Sequence, residues 1–151
     1  MNTVANIQKQ ADRIVATLQA SPAEKLRFWG TVPYSARLNG ENTRQWTICA
    51  ARPPELQPLY ASPSLEAAAL ILTDVSHRTG IALQVRTGID IWTLAPSISA
   101  LVQQIPIAKG EAIAKTKCQG HLLKHVFGQC LSRHGQLDLI QNLSHPETQE
   151  A

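Results

Sequence analysis

The stretch SPSLEAAALILTDVSHRTGIALQVRTGIDIW, residues 62–92, decides the fold. Its first half predicts a helix: Ser62-Pro63 opens it, Leu65 to about His77 carries it, and Gly80 closes it. The run Ala67-Ala68-Ala69-Leu70-Ile71-Leu72 is apolar nearly all round, the pattern of a buried helix, here a crossover packed against a sheet. His77 then reads as a helix C-terminal residue interacting with the dipole. In the second half the period becomes alternating. Ile81, Leu83 and Val85 form one apolar face, and Ile89 and Ile91 another. A loop of Arg86-Thr87-Gly88 pairs Val85 with Ile89 and Leu83 with Ile91, with Gly88 supplying the left-handed residue of a bulged turn. Ala82, Gln84, Asp90 and Trp92 share the other face. On that mainly polar face Trp92 is expected to lie under a helix, or else to be a contact residue.

Toward the N-terminus a first hairpin is predicted. Val32, Tyr34 and Ala36 alternate with Pro33, Ser35 and Arg37, and Trp46, Ile48 and Ala50 alternate on the return. A two-residue turn at Asn39-Gly40 sets Val32 opposite Thr47 and splits the apolar faces. A loop of Leu38-Asn39-Gly40 sets Val32 opposite Trp46 and joins them, so the odd loop is expected. Arg52-Pro53-Pro54 and Pro58 read as a connector, because proline lacks the N–H that a central strand must donate. Ser21-Pro22-Ala23-Glu24 matches a capping box and predicts a short helix ending at Gly30. Val4, Ile7, Ala11, Ile14, Val15 and Leu18 form one stripe of an amphipathic first helix, expected to cover a sheet, with dimerisation its alternative use.

Toward the C-terminus the pattern predicts a helix over Ser97 to Gln104, stopped before Pro106, and a longer one over 108–127, ended at Gly128. Leu137, Leu139, Ile140 and Leu143 suggest a last short helix. The order α-α-β-β-α-β-β-α-α predicts an α+β fold: a roughly four-stranded antiparallel sheet of two hairpins, covered by helices, with helices at both ends. Residues 1–143 are expected to form a single α+β domain and 144–151 a flexible acidic tail.

Composition agrees with one folded domain. The chain has 151 residues, 44% hydrophobic and 17% charged, which excludes an intrinsically disordered composition. No apolar run approaches the roughly 18 residues of a membrane-spanning helix, and no secretory signal is expected. The three cysteines, Cys49, Cys118 and Cys130, include no CxxC pair and predict a reducing, cytoplasmic setting. The formal charge of +3 is unevenly spread. Residues 109–134 carry Lys109, Lys115, Lys117, Lys124 and Arg133 against Glu111 alone, whereas residues 135–151 carry only Asp138, Glu147 and Glu150.

Three function classes follow. Glycine-rich phosphate loops, GxSxG and paired carboxylates at suggestive spacing are absent from the sequence, so no catalytic constellation and no cofactor are expected. The first class is a non-enzymatic adaptor acting through protein contacts, with itself as homodimer or with another protein, for which Trp92 and Tyr34 are candidate contact residues. The second is a nucleic-acid-associated regulator using Lys109, Lys115, Lys117, Lys124 and Arg133 on phosphates. The third is a metal-binding protein. Within the constellation Cys118, His121, His125, Cys130 and His134, the first three fall within roughly 60° of one helix face, and the i, i+4 histidines can reach one zinc or copper ion. The HExxH glutamate is missing, and the same residues suit a solvated helix face.

Overall fold

The chain builds one mixed sheet with helices packed on one of its faces, in a computed structural model that describes residues 4–31, 44–88, 90–105 and 119–144. In chain order the elements are α1 (Val4–Ala20), β1 (Lys25–Thr31), β2 (Gln45–Arg52), β3 (Glu55–Ser62), α2 (Leu65–Thr79), β4 (Leu83–Gly88), β5 (Ile91–Ala95), α3 (Ile98–Gln104) and α4 (Gln119–Ser144). The sheet order is β3-β2-β1-β4-β5. The α+β class is therefore as expected, but the sheet has five strands and is mixed. β1 and β4 run parallel, because α2 carries the chain from the β3 edge back to the centre, the long crossover that a parallel pair requires.

Residues 25–31 form a strand where a helix was expected. Leu26 and Phe28 alternate with Lys25, Arg27 and Trp29, and burial alternates with them. The Glu24 N–H donates to the Ala51 carbonyl at 2.9 Å, so the sheet ladder takes up the segment that the capping box would have turned. The Arg52 guanidinium donates to the Ser21 and Pro22 carbonyls and holds the entry to β1.

The first hairpin keeps its predicted parity and changes its register. Gly30, not Val32, stands opposite Trp46. The displacement is two residues, so Leu26 and Phe28 still share a face with Trp46, Ile48 and Ala50. Glycine suits this position because a Cβ there would lie 2.6 Å from the Trp46 indole. The expected strand over 32–37, with Tyr34 and the Leu38-Asn39-Gly40 loop, lies outside the described residues.

The proline-rich connector is itself a strand. Pro53-Pro54 turns β2 into β3, and Pro58 is accommodated because β3 is an edge strand with an irregularity opposite Ile48 and Cys49. In the second hairpin the register moves by four residues: Val85 pairs with Thr93 and Leu83 with Ala95. Asp90, just before β5, takes φ 58°, and the irregularity falls between Arg86 and Gly88. The longer pairing brings the Thr87 hydroxyl within 3.2 Å of that of Thr93.

The crossover helix is buried as predicted. The Ser64 hydroxyl accepts from the Ala67 N–H at 3.1 Å, and Gly80, at φ 70°, donates to the Ser76 carbonyl. α2 lies between the sheet, α1 and α4, so an all-round apolar run has a neighbour on every side. α1 packs chiefly along α2 rather than on the sheet, and its Ile7, Ala11, Ile14, Val15 and Leu18 are all buried within the chain. α4 runs through Gly128 without a break. One helix glycine costs only about 1 kcal/mol, and Leu123, Val126, Phe127 and Cys130 anchor the helix on both sides of it. No helix among the described residues is long and apolar enough to cross a membrane.

Candidate partner-binding face

The pleat gives each strand two kinds of side chain. Leu26, Phe28, Trp46, Ile48, Ala50, Leu83, Val85 and Ala95 point into the core with the helices. The opposite face carries Lys25, Arg27 and Trp29 on β1, Gln84 and Arg86 on β4, and Trp92 and Leu94 on β5. Among the described residues no helix lies over its β1, β4 and β5 part, while Cys49 and Ala51 of β2, on the same face, are buried. Trp92 is 38% and Leu94 56% exposed, and Leu56 on β3 is exposed as well.

The centre of this face is organised by direct contacts. Register sets Arg27 beside Gln84, and Gln84 beside Leu94, while Arg86 pairs with Trp92. Arg27 Nε donates to Gln84 Oε1 at 2.8 Å, and its guanidinium carbon stands 5.4 Å from the Trp92 ring centroid. Trp29 meets Trp92 edge-to-face, with centroids 6.2 Å apart at 66°. Each such contact is worth about 0.5–1.5 kcal/mol, which is enough to pre-set the rotamers of a contact surface. Arg86 Nε donates to the Gly88 carbonyl at 3.3 Å, and Asp90 lies 3.9 Å from its guanidinium.

Trp92 is thus a partly exposed surface residue; among the described residues the helices pack on the other side of the sheet. Tyr34, Lys109, Lys115, Lys117 and Cys118 lie outside the described residues. The two described members of the basic segment are already engaged. Lys124 Nζ donates to the Ile105 carbonyl at 2.8 Å, at the end of α3, and Arg133 pairs with Glu66. His121 is half-buried and His125 exposed on α4, and among the described residues no group of three or more His, Cys, Asp or Glu is placed to hold a metal ion.

His134 and Cys130 go separate ways. His134 Nε2 is 3.2 Å from Asp74 Oδ1, while Arg78 donates to both Asp74, at 3.1 Å, and Asp12, at 2.6 Å. This network ties α1, α2 and α4 together. His77, in the last turn of α2, sets its ring edge-to-face on His134 at 5.0 Å, and both line a pocket of about 250 Å³ with Ser76, Ser97 and Ser99. The Ser97 hydroxyl accepts from the Ala100 N–H at 3.2 Å and so caps α3.

Cys49 and Cys130 are free and buried. Burial pushes the Cys49 thiol up to about 11, against the lowering effect of Arg27, and pushes Cys130 up to about 12. Both therefore stay protonated at neutral pH, where the thiolate is the reactive form. Iodoacetamide is expected to leave both unmodified in the folded protein and to alkylate both in guanidinium, read residue by residue by mass spectrometry. Rapid native modification of either would overturn the assignment.

Arg27 and Trp29 escaped the sequence reading because a helix was assigned to their segment. The alternation of Leu26 and Phe28 with Lys25, Arg27 and Trp29 is the signal that finds them. Compared with family models, curated proteins and solved structures, the chain finds no significant match, so its functional reading rests on this geometry.

Proposed function

We propose that the chain is a non-enzymatic protein-binding module that receives a partner on the uncovered sheet face. The observation that carries this reading is the Trp29–Trp92–Arg27 cluster, held in place yet left open to solvent on one face while the other is buried under helices. Tryptophan supplies large contact area at low entropic cost, and tryptophan and arginine are enriched among the residues that dominate protein interfaces. Lys25, Arg27 and Arg86 make the face cationic around its apolar centre. A fitting partner offers apolar side chains flanked by carboxylates. A reducing, cytoplasmic setting belongs to the same reading, supported by the free thiols of Cys49 and Cys130.

The test compares the full chain with Trp92→Ser/Leu94→Ser, both immobilised, in nuclease-treated lysate of the source cells. The variant is expected to lose at least about tenfold of a nuclease-resistant protein ligand, as removal of a central interface anchor does. Its stability should fall by roughly 1–3 kcal/mol, since the Trp29 and Arg27 contacts of Trp92 are lost while both side chains are partly solvated. Equal capture by both proteins would remove this face from the function. Capture that disappears with nuclease would assign it to nucleic acid.

A further inference from the structure

The two edges of the sheet are unlike. β3 closes one edge with Glu55, with Pro58, which has no N–H to offer, and with the register irregularity opposite Ile48 and Cys49. These are devices that discourage strand addition. β5 closes the other with Ile91-Trp92-Thr93-Leu94-Ala95, which contains no proline and no charge. Ile91, Trp92 and Leu94 are exposed, and among the described residues no strand pairs with the outer edge of β5. Such an edge is a template for another strand.

We infer that this edge binds a second copy of the chain, β5 against β5, in an antiparallel pair centred on Thr93. Any extended peptide would satisfy the backbone of the edge; the side chains single out the copy. A two-fold contact is isologous, so residue i meets residue j and j meets i. Directly opposite residues must also share a face, which limits the register to even-sum pairings. The pairing centred on Thr93 engages the whole strand. It sets Trp92 beside Leu94 of the second copy and Leu94 beside its Trp92, on the face that already carries Trp29 and Arg27. Opposed Cβ atoms then lie about 4.5–5.5 Å apart, so each leucine packs against the near side of an indole whose ring leans toward Trp29. Four exposed apolar side chains are covered and no charge within the strand is desolvated. The two uncovered faces join into one, with the pair of clusters on either side of the axis.

The inference places a copy beside the sheet edge and the proposed function a partner on the face; both use Trp92 and Leu94, and purified protein alone, in which only the copy is present, separates them. Sedimentation of the full chain is expected to show a dimer at high micromolar concentration. Trp92→Lys/Leu94→Lys sets a lysine against a lysine twice across the axis and is expected to weaken the dimer by about 100-fold or more. Trp92→Lys/Leu94→Glu sets each lysine against a glutamate and is expected to recover dimerisation to within about tenfold of the parent. Circular dichroism checks that both variants fold, as the exposure of positions 92 and 94 predicts. A parent chain that stays monomeric, a lysine variant that dimerises unchanged, or equal dissociation of the two variants would each overturn the inference.

Discussion

Replacing Phe28 by alanine is expected to cost about 3–5 kcal/mol, near the top of the range for core truncations. Phe28 is completely buried in β1, with Ile48 of β2 on one side and Val85 of β4 on the other. Its ring stacks on Trp46, with centroids 5.7 Å apart at 17°, and meets Phe127 of α4 edge-on, also at 5.7 Å. Truncation therefore breaks the contact between sheet and helix layer and one within the sheet. The site collapses poorly, because both flanking residues belong to paired strands whose backbones the ladder holds. A domain of this size has about 5–15 kcal/mol in total, so the loss is a large share of its stability. Guanidinium unfolding should show a lower midpoint at an unchanged m-value, and Phe28→Leu should cost about 1.5 kcal/mol or less. A loss below about 1 kcal/mol for the alanine variant would mean that Phe28 does not sit at this junction.

The same residue shows why local reading went astray at β1. A capping box is worth about 1 kcal/mol, whereas burying Leu26 or Phe28 yields about 1.5–3 kcal/mol each. The tertiary contribution wins, and the Glu24 N–H is drawn to the Ala51 carbonyl. Elsewhere the sequence carried the face and missed the register. Trp46 meets Gly30 two residues from the expected partner, and Val85 meets Thr93 four residues from it. Both displacements are even, because a period of two distinguishes faces and is blind to even shifts. The parallel β1–β4 pair has no local signature, since it depends on where the crossover lands.

The candidate face was legible to the same depth. Trp92 stood out as an aromatic among polar neighbours, but its contact with Trp29 and Arg27 requires β1, β4 and β5 to be adjacent. The apolar stripe of α1, except for the exposed Val4 at its start, and the buried run of α2 were read correctly as burial, because helical periodicity reports burial whatever the neighbour is. What covers a stripe is a tertiary choice: α1 found α2, and among the described residues no helix covers Trp92.

A methyl group at position 30 is expected to destabilise the fold by about 3 kcal/mol, which is large for one added carbon and typical of overpacking where nothing yields. The Cβ of Gly30→Ala would lie 2.6 Å from two Trp46 ring atoms and 2.8 Å from a third. Flexible chain ends can swing away from such a contact; an indole moves as a rigid plate. Trp46 is only 3% exposed and has Phe28 stacked against it, so its retreat displaces the most crowded part of the core. The lower unfolded-state entropy of alanine offsets only about 0.5–1 kcal/mol. Gly128→Ala serves as the opposite case, since beyond the backbone of α4 itself nothing among the described residues lies within 4 Å of its added carbon, and there the entropy gain should appear as a small stabilisation. The mechanism is specific enough for a double-mutant cycle. Trp46→Leu removes the ring that the methyl strikes, so Gly30→Ala in that background should cost less than half of its value in the parent, a coupling of about 1.5 kcal/mol or more. Additive costs in urea unfolding would place the strain somewhere other than the indole.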